Sequence, residues 1–323
     1  MRLSDNVLVN NLNSNVMKKS IILAISCILF GAVTAMAQPQ KVISKDFERF
    51  STVKVQDKFV VKLTNSSKYA VRIICDERIA AHVQAYEKNG TLHLLLDEKG
   101  YTKELKKELK QKGAAQPVLE AEIYMPEIKS LILMDKVLVT NSDEIKSDNF
   151  TMTVTDDVKV QQLKINCTTA DMDISKSAEV SGAEFIVSEK MLLKASNSSK
   201  SNIALNANKV SFDLNGSAVV DAKASCSLMQ ITASTGAESH INGTAEAIMV
   251  EASGLTRTDV EYLEAQNGKV TLTGSAKCHV NVVDKLTVNL TGSSMLTFKG
   301  MPSFGIERIL GSTLIKADDP KRK

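Results

Sequence analysis

LTGSAKCHVNVVDKLTVNLTGSS, residues 272–294, states one short pattern twice. Thr273-Gly274-Ser275 returns as Thr291-Gly292-Ser293, with apolar and polar residues alternating between them. Alternation with a period of two marks a strand with one buried face. A triplet of small and hydroxyl residues is turn chemistry. The stretch therefore reads as corner, strand, corner.

The same corner recurs in both directions along the chain. Its copies are Met134-Asp135-Lys136, Thr155-Asp156-Asp157, Ser175-Lys176-Ser177, Ser196-Asn197-Ser198, Asn215-Gly216-Ser217, Thr235-Gly236-Ala237, Ser253-Gly254-Leu255, the two quoted above, and Leu310-Gly311-Ser312. Their central residues lie 18 to 21 positions apart. Such a period predicts an all-β solenoid with about 20 residues per coil. The last six central residues are Gly, and Asp135, Asp156 and Asn197 precede them, with Lys176 the exception. Gly, Asp and Asn enter left-handed backbone conformations at low cost. Runs such as KVSFDL, LMQITA and KVTLTG supply the strands. Coils about 4.8 Å apart would stack apolar residues into interior ladders. An aromatic content of 4% and the lack of Trp suit so narrow a core.

Upstream, residues 38–125 read as a small β-region. Val53, Val55, Val60, Leu63, Val71, Ile73, Leu92 and Leu94 are its expected inward faces, and Asn89-Gly90 is a hairpin turn. Residues 97–117 are charged and helix-prone, an exposed insertion of one or two helical turns. The repeat array is assigned to 126–316 and a disordered polar tail to 317–323.

The N-terminus carries an export signal. From Met17, Lys18 and Lys19 lead an apolar stretch, Ile21 to Val33, which ends at the small-residue site Ala35-Met36-Ala37. Residues 17–37 form the signal peptide, and 1–16 read as a misassigned upstream start. The apolar stretch is too short to span a bilayer well. Cys27 lies in surroundings that match a lipid-attachment site poorly, and its lipidation is left open. Without residues 1–37 the net charge falls from +3 to about +1. Neither a nucleic acid nor an anionic membrane surface is expected as partner.

Beyond the leader stand Cys75, Cys167, Cys226 and Cys278, in no zinc-binding spacing. They read as small buried hydrophobes. Cys167 and Cys226 fall in one column three coils apart, roughly 14 Å, too far for a disulfide.

The run from Ser217 to Gly300 resembles the recurrent corners of the putative auto-transporter adhesin head GIN domain family, found in exported proteins of Bacteroidetes-type bacteria. RFSTVKVQDKFVVKLTNSSKYAVRI is similar to the family's entry, and EAEIYMPEIKSLIL to its junction into the coils. MLTFKGMPSF is similar to its closing motif, with Phe298 in place of the usual Tyr. The resemblance covers roughly residues 46–316. It implies a right-handed β-helix preceded by a small β-region, and it brings no catalytic residues and no cofactor.

Chemistry-bearing residues are sparse. His240 and His279 fall in close but different columns two coils apart, too far to share a metal, and with His82 and His93 they read as isolated surface residues. No nucleophile elbow occurs. Asp156 and Asp157 at one corner, with Asp171 and Asp173 before the next, are the weak candidates for a cation or for sugar hydrolysis. The leading expectation is a non-enzymatic exported solenoid. It presents a Ser/Thr/Asn/Lys-rich face to a surface polysaccharide or an envelope protein, in the periplasm or at the cell surface. A periplasmic scaffold without a ligand and a carbohydrate-active enzyme are the alternatives.

Overall fold

The computed structural model describes residues 39–317. The N-terminal signal, the lipidation question at Cys27 and residues 318–323 lie outside the described residues. What is described is a β-solenoid of about 9 turns.

Each coil begins on a strand that enters a corner, turns through one residue of positive φ, and continues on a second strand that bends once more into a third. The entering strands form a parallel ladder from Thr52–Val55 through Ser130–Leu133, Glu144–Val154 and Leu163–Ile174. It runs on to Lys277–Thr291 and Ser303–Leu310. Parallel strands leave no local hairpin to satisfy their backbone groups, so every coil depends on the coil above and below it.

The interior follows from the two-residue strand period. Val53, Leu131, Met152, Met172, Leu193, Phe212, Ile231, Val250, Val270 and Val288 form one fully buried column. Phe50, Phe59, Phe150, Phe185 and Phe212 are the largest groups inside a core otherwise built mainly of Val, Leu, Ile, Ala and Met. The interior is therefore thin, and little aromatic bulk is needed to fill it.

Coil geometry already occurs upstream of residue 126. The strands Thr52–Val55 and Val60–Asn65, joined by Asp57 at φ 72°, already form a coil. It lies directly under the coil built from Ser130–Leu133 and Leu138–Ser142. The intervening chain supplies the layer beneath. Thr91–Leu96 and Leu119–Met125 pair in parallel with the two strands of the Asp57 coil from below. The charged insertion sits between these two strands, where the other coils have a corner. It holds a short 3-10 turn, Glu98–Gly100, and an α-helix, Lys103–Leu109. Gln40–Phe47 and Tyr69–Asp76 add an antiparallel layer against Leu119–Met125. The expected hairpin is present, with Asn89 at φ 55° and Gly90 at φ 76° between Val83–Lys88 and Thr91–Leu96.

A buried ion pair fastens the helical insertion. The Asp76 carboxylate is fully buried and accepts from the Arg78 backbone N–H at 2.9 Å and from its guanidinium Nε at 3.0 Å. The same guanidinium donates to Glu108 Oε1 at 2.8 Å and so ties the helix to the solenoid's end. These bonds hold the Asp76 carboxyl below the usual carboxylate range.

Candidate functional site

The corner residues set the register of every exposed column. Positive φ occurs at Asp57, Asp135, Asp156, Lys176, Asn197, Gly216, Thr235, Gly254, Gly274, Gly292 and Gly311. Lys176, the exception by residue type, adopts the same left-handed conformation at φ 61°. One expected corner is corrected. Thr235, at φ 68°, is the left-handed residue, and Gly236 stands one position beyond it. The backbone bonds agree: Gly236 N–H donates to the Gly216 carbonyl as Ser217 N–H donates to Asn197 and Leu255 N–H to Thr235. The reason is the pleat. A corner at Gly236 would turn Glu238 and His240 into the core and push out Ser239 and Ile241, which are buried here.

This shift of one residue changes the reading of the histidines. His240 stands five positions after Thr235, as His279 stands five after Gly274, so both belong to one column. The register across neighbouring coils runs Asn202, Asp221, His240, Asp259, His279, Thr297. Imidazoles and carboxylates alternate through its centre. His240 Nδ1 lies 3.0 Å from Asp221 Oδ1, and His279 Nδ1 lies 3.9 Å from Asp259 Oδ2. The two histidines are thus not isolated. They stand two coils apart, as the spacing implies, and the shifted register adds Asp259 between them in the same column.

The acids singled out in the sequence do not assemble. Asp156 sits at its corner and pairs with Lys176 of the next coil, Nζ to Oδ1 at 2.5 Å. That bond holds its carboxyl below the usual range. Asp173 lies beside Lys194 on the entering-strand ladder, with Asp213 beyond it. Opposite signs alternate there because like charges directly across a ladder repel. Among the described residues, the group of ligating side chains that converges is Asp259, Glu261 and His279, and none of the four expected acids belongs to it.

A second feature runs along the bend between the last strand of each coil and the next entering strand. Two adjoining open depressions, about 450 and 700 Å³, share Asn166 and Ser188. Hydroxyls and amides dominate their walls, among them Thr168, Asn206, Asn208, Ser225, Thr244 and Gln266. The backbone forces this composition. A tight bend in every coil favours small polar residues, and stacking aligns them into a trough parallel to the axis. Cys167 and Cys226 lie on its floor as free thiols in one column, and burial pushes each up to about 11. Burial therefore disfavours the thiolate of each at neutral pH.

A parallel β-solenoid with stacked left-handed corners and an axial polar trough defines the class of the protein. The chain matches the family described as "Putative auto-transporter adhesin, head GIN domain" over residues 49–184 and 180–302, and it belongs to that family. No curated protein is significantly similar to it in sequence. Among solved structures, it is similar to a putative adhesin from Parabacteroides merdae, at 13% identity over 86% of this chain and 96% of that one, with a TM-score of 0.46. It is also similar to a putative adhesin from Parabacteroides distasonis, at 14% identity over 87% and 98% of the two chains, TM-score 0.43. A putative lipid binding protein from Parabacteroides distasonis matches at 10% identity over 86% and 97%, TM-score 0.40. Likeness at this level carries no information about function. Among the described residues no helix is long and apolar enough to cross a membrane.

Proposed function

We propose that the protein is an exported binding module whose axial trough takes an extended, hydroxyl-rich polymer such as a surface polysaccharide. The observation that carries this reading is the trough itself, which continues across successive coils with hydroxyl and amide groups at each step. A repeating ligand laid along it would make the same weak contacts many times, and affinity would come from their number. Membership in an adhesin-type family and the leader sequence support an extracytoplasmic location.

Hydrolysis would need two carboxylates free to act on one sugar linkage. Glu127, Asp148 and Glu246 line the trough. Glu127, one coil from Asp148, is taken up by Arg49 at 2.9 Å. Asp148 and Glu246 stand five coils apart, about 24 Å at the strand spacing. A glycosidase pair stands roughly 5 to 10 Å apart. A panel of surface polysaccharides tested against the purified protein distinguishes the readings. Saturable binding, lost in a combined Asn206→Ala, Asn208→Ala and Gln266→Ala variant, is the expected result. Release of new reducing ends would overturn the non-enzymatic reading. Absence of binding to any polymer would favour a structural scaffold of the envelope.

A further inference from the structure

We infer that Asp259, Glu261 and His279 form a binding site for a first-row divalent cation of the zinc type, on a different face from the trough. Three features of the strand Arg257–Leu272 build it. Asp259 and Glu261 are two residues apart on an extended strand, so both side chains leave on the solvent side. His279 lies directly across from Asp259 on the next coil. Beyond Val260 the register with that coil jumps to Glu264, so Glu261, Tyr262 and Leu263 have no opposite residue. The three-residue excess forms a bulge that brings the Glu261 carboxylate back toward the column, and its backbone N–H donates to Asp259 Oδ1 at 3.2 Å. Bulges commonly re-aim side chains in this way.

The geometry is close to that of a bound ion. One ligand atom from each residue lies within 4.8 Å of the other two. The centre of such a triangle is at most about 2.8 Å from each atom, against zinc bonds of roughly 2.0 to 2.2 Å. Side-chain rotations of under about 1 Å close the difference. One imidazole with two carboxylates suits zinc and its neighbours better than calcium, which takes six to eight oxygens. All three side chains are half-buried, so the ion would sit in the surface, with a coordination position left for water or a partner's donor group.

Lys299 is the competitor built into the site. Its ammonium pairs with Glu261 Oε1 and lies 5.1 Å from the centre of the Tyr262 ring. An incoming cation must displace it from Glu261. The site therefore predicts two opposite effects: loss of a ligand weakens binding, and loss of Lys299 strengthens it.

Titration of the purified protein with Zn²⁺ at neutral pH, followed by calorimetry and by the visible absorption of the Co²⁺ form, tests the inference. One ion per chain is expected. His279→Ala and Glu261→Gln should each weaken binding about 10-fold or more. Lys299→Gln should tighten it several-fold, and Asp221→Asn, farther along the column, should leave it unchanged. Lys299→Gln removes the charge of a half-buried side chain while keeping most of its length, so it reports on the site even if a ligand variant fails to fold. Absence of saturable Zn²⁺ binding, affinity indifferent to His279→Ala, or weaker binding by Lys299→Gln would overturn the assignment.

Discussion

The early coils and the late coils reach the same corner geometry by different means. From Asp57 to Asn197 the left-handed residues carry side chains, with φ between 60° and 72°. From Gly254 to Gly311 they are glycines with φ between 70° and 80°. In the early half the side chains help to hold the corners together. Asp57 Oδ2 accepts from Leu96 N–H at 2.8 Å, Asp57 N–H donates to Asp135 Oδ2 at 3.4 Å, and Asp156 pairs with Lys176. In the late half bare backbones approach each other. A Cβ on Gly292 would lie 2.7 Å from the Gly274 carbonyl oxygen.

The lining of the core also changes along the axis, though not in step with the corner type. The two interior columns after the early corners are Phe59 and Val61, Val137 and Val139, Val158 and Val160, then Ala178 and Val180, all buried. Later these columns mix apolar pairs, Ala218 with Val220 and Ala276 with Cys278, with Ser199 and Ser201, Ser239, and Thr256 and Thr258, whose buried hydroxyls lack a hydrogen-bond partner. A solenoid tolerates either solution because each coil is held mainly by backbone bonds to its two neighbours.

Substitutions that exchange the two solutions sharpen this contrast. Gly292→Val places a β-branched residue in the left-handed region against backbone, and it should destabilise by roughly 3 kcal/mol in chemical denaturation. Lys176→Gly moves an early corner to the late type. It removes left-handed strain of about 1–2 kcal/mol and loses an exposed ion pair worth less, so the midpoint should rise. Thr258→Val gives a late interior the early lining. Removal of an unpartnered hydroxyl should stabilise by about 1 kcal/mol. If Thr258→Val destabilises instead, the hydroxyl has a role that the contrast does not contain.

The smallest effect is that of pH on the early corners. The Lys176 bond lowers the folded-state affinity of Asp156 for a proton. Its stabilisation is present above the ordinary carboxylate range and is lost as pH falls through the depressed folded value. The difference in stability between wild type and Asp156→Asn should therefore shrink in acid. It should shrink with added salt as well, since the pair is exposed.

The period and the strand alternation were legible because Gly corners are chemically distinct and evenly spaced. Two things were hidden. The Asp57 corner lies 78 residues before Asp135, and the cap inserted between them breaks the period that would have revealed it. At Thr235-Gly236 residue preference favours glycine, while burial of Ala237, Ser239 and Ile241 favours threonine, and burial wins. That single step hid the alternating column of Asp221, His240, Asp259 and His279. Glu261 reaches the column only through a bulge, for which strand alternation gives no signal. The trough is not legible in position, because the residues at the third bend follow no fixed sequence motif.

Cross-linking tests the register most directly. In a chain whose native cysteines are replaced by Ala, cysteines are introduced in pairs, Asp221→Cys with His240→Cys, or Asp221→Cys with Ile241→Cys. Mild oxidation and non-reducing peptide mapping then read the bond. The Thr235 corner predicts an efficient disulfide for the first pair, whose positions are directly opposite on adjacent strands, and little for the second, in which position 241 faces the core. The reverse outcome would place the corner at Gly236 and contradict the column.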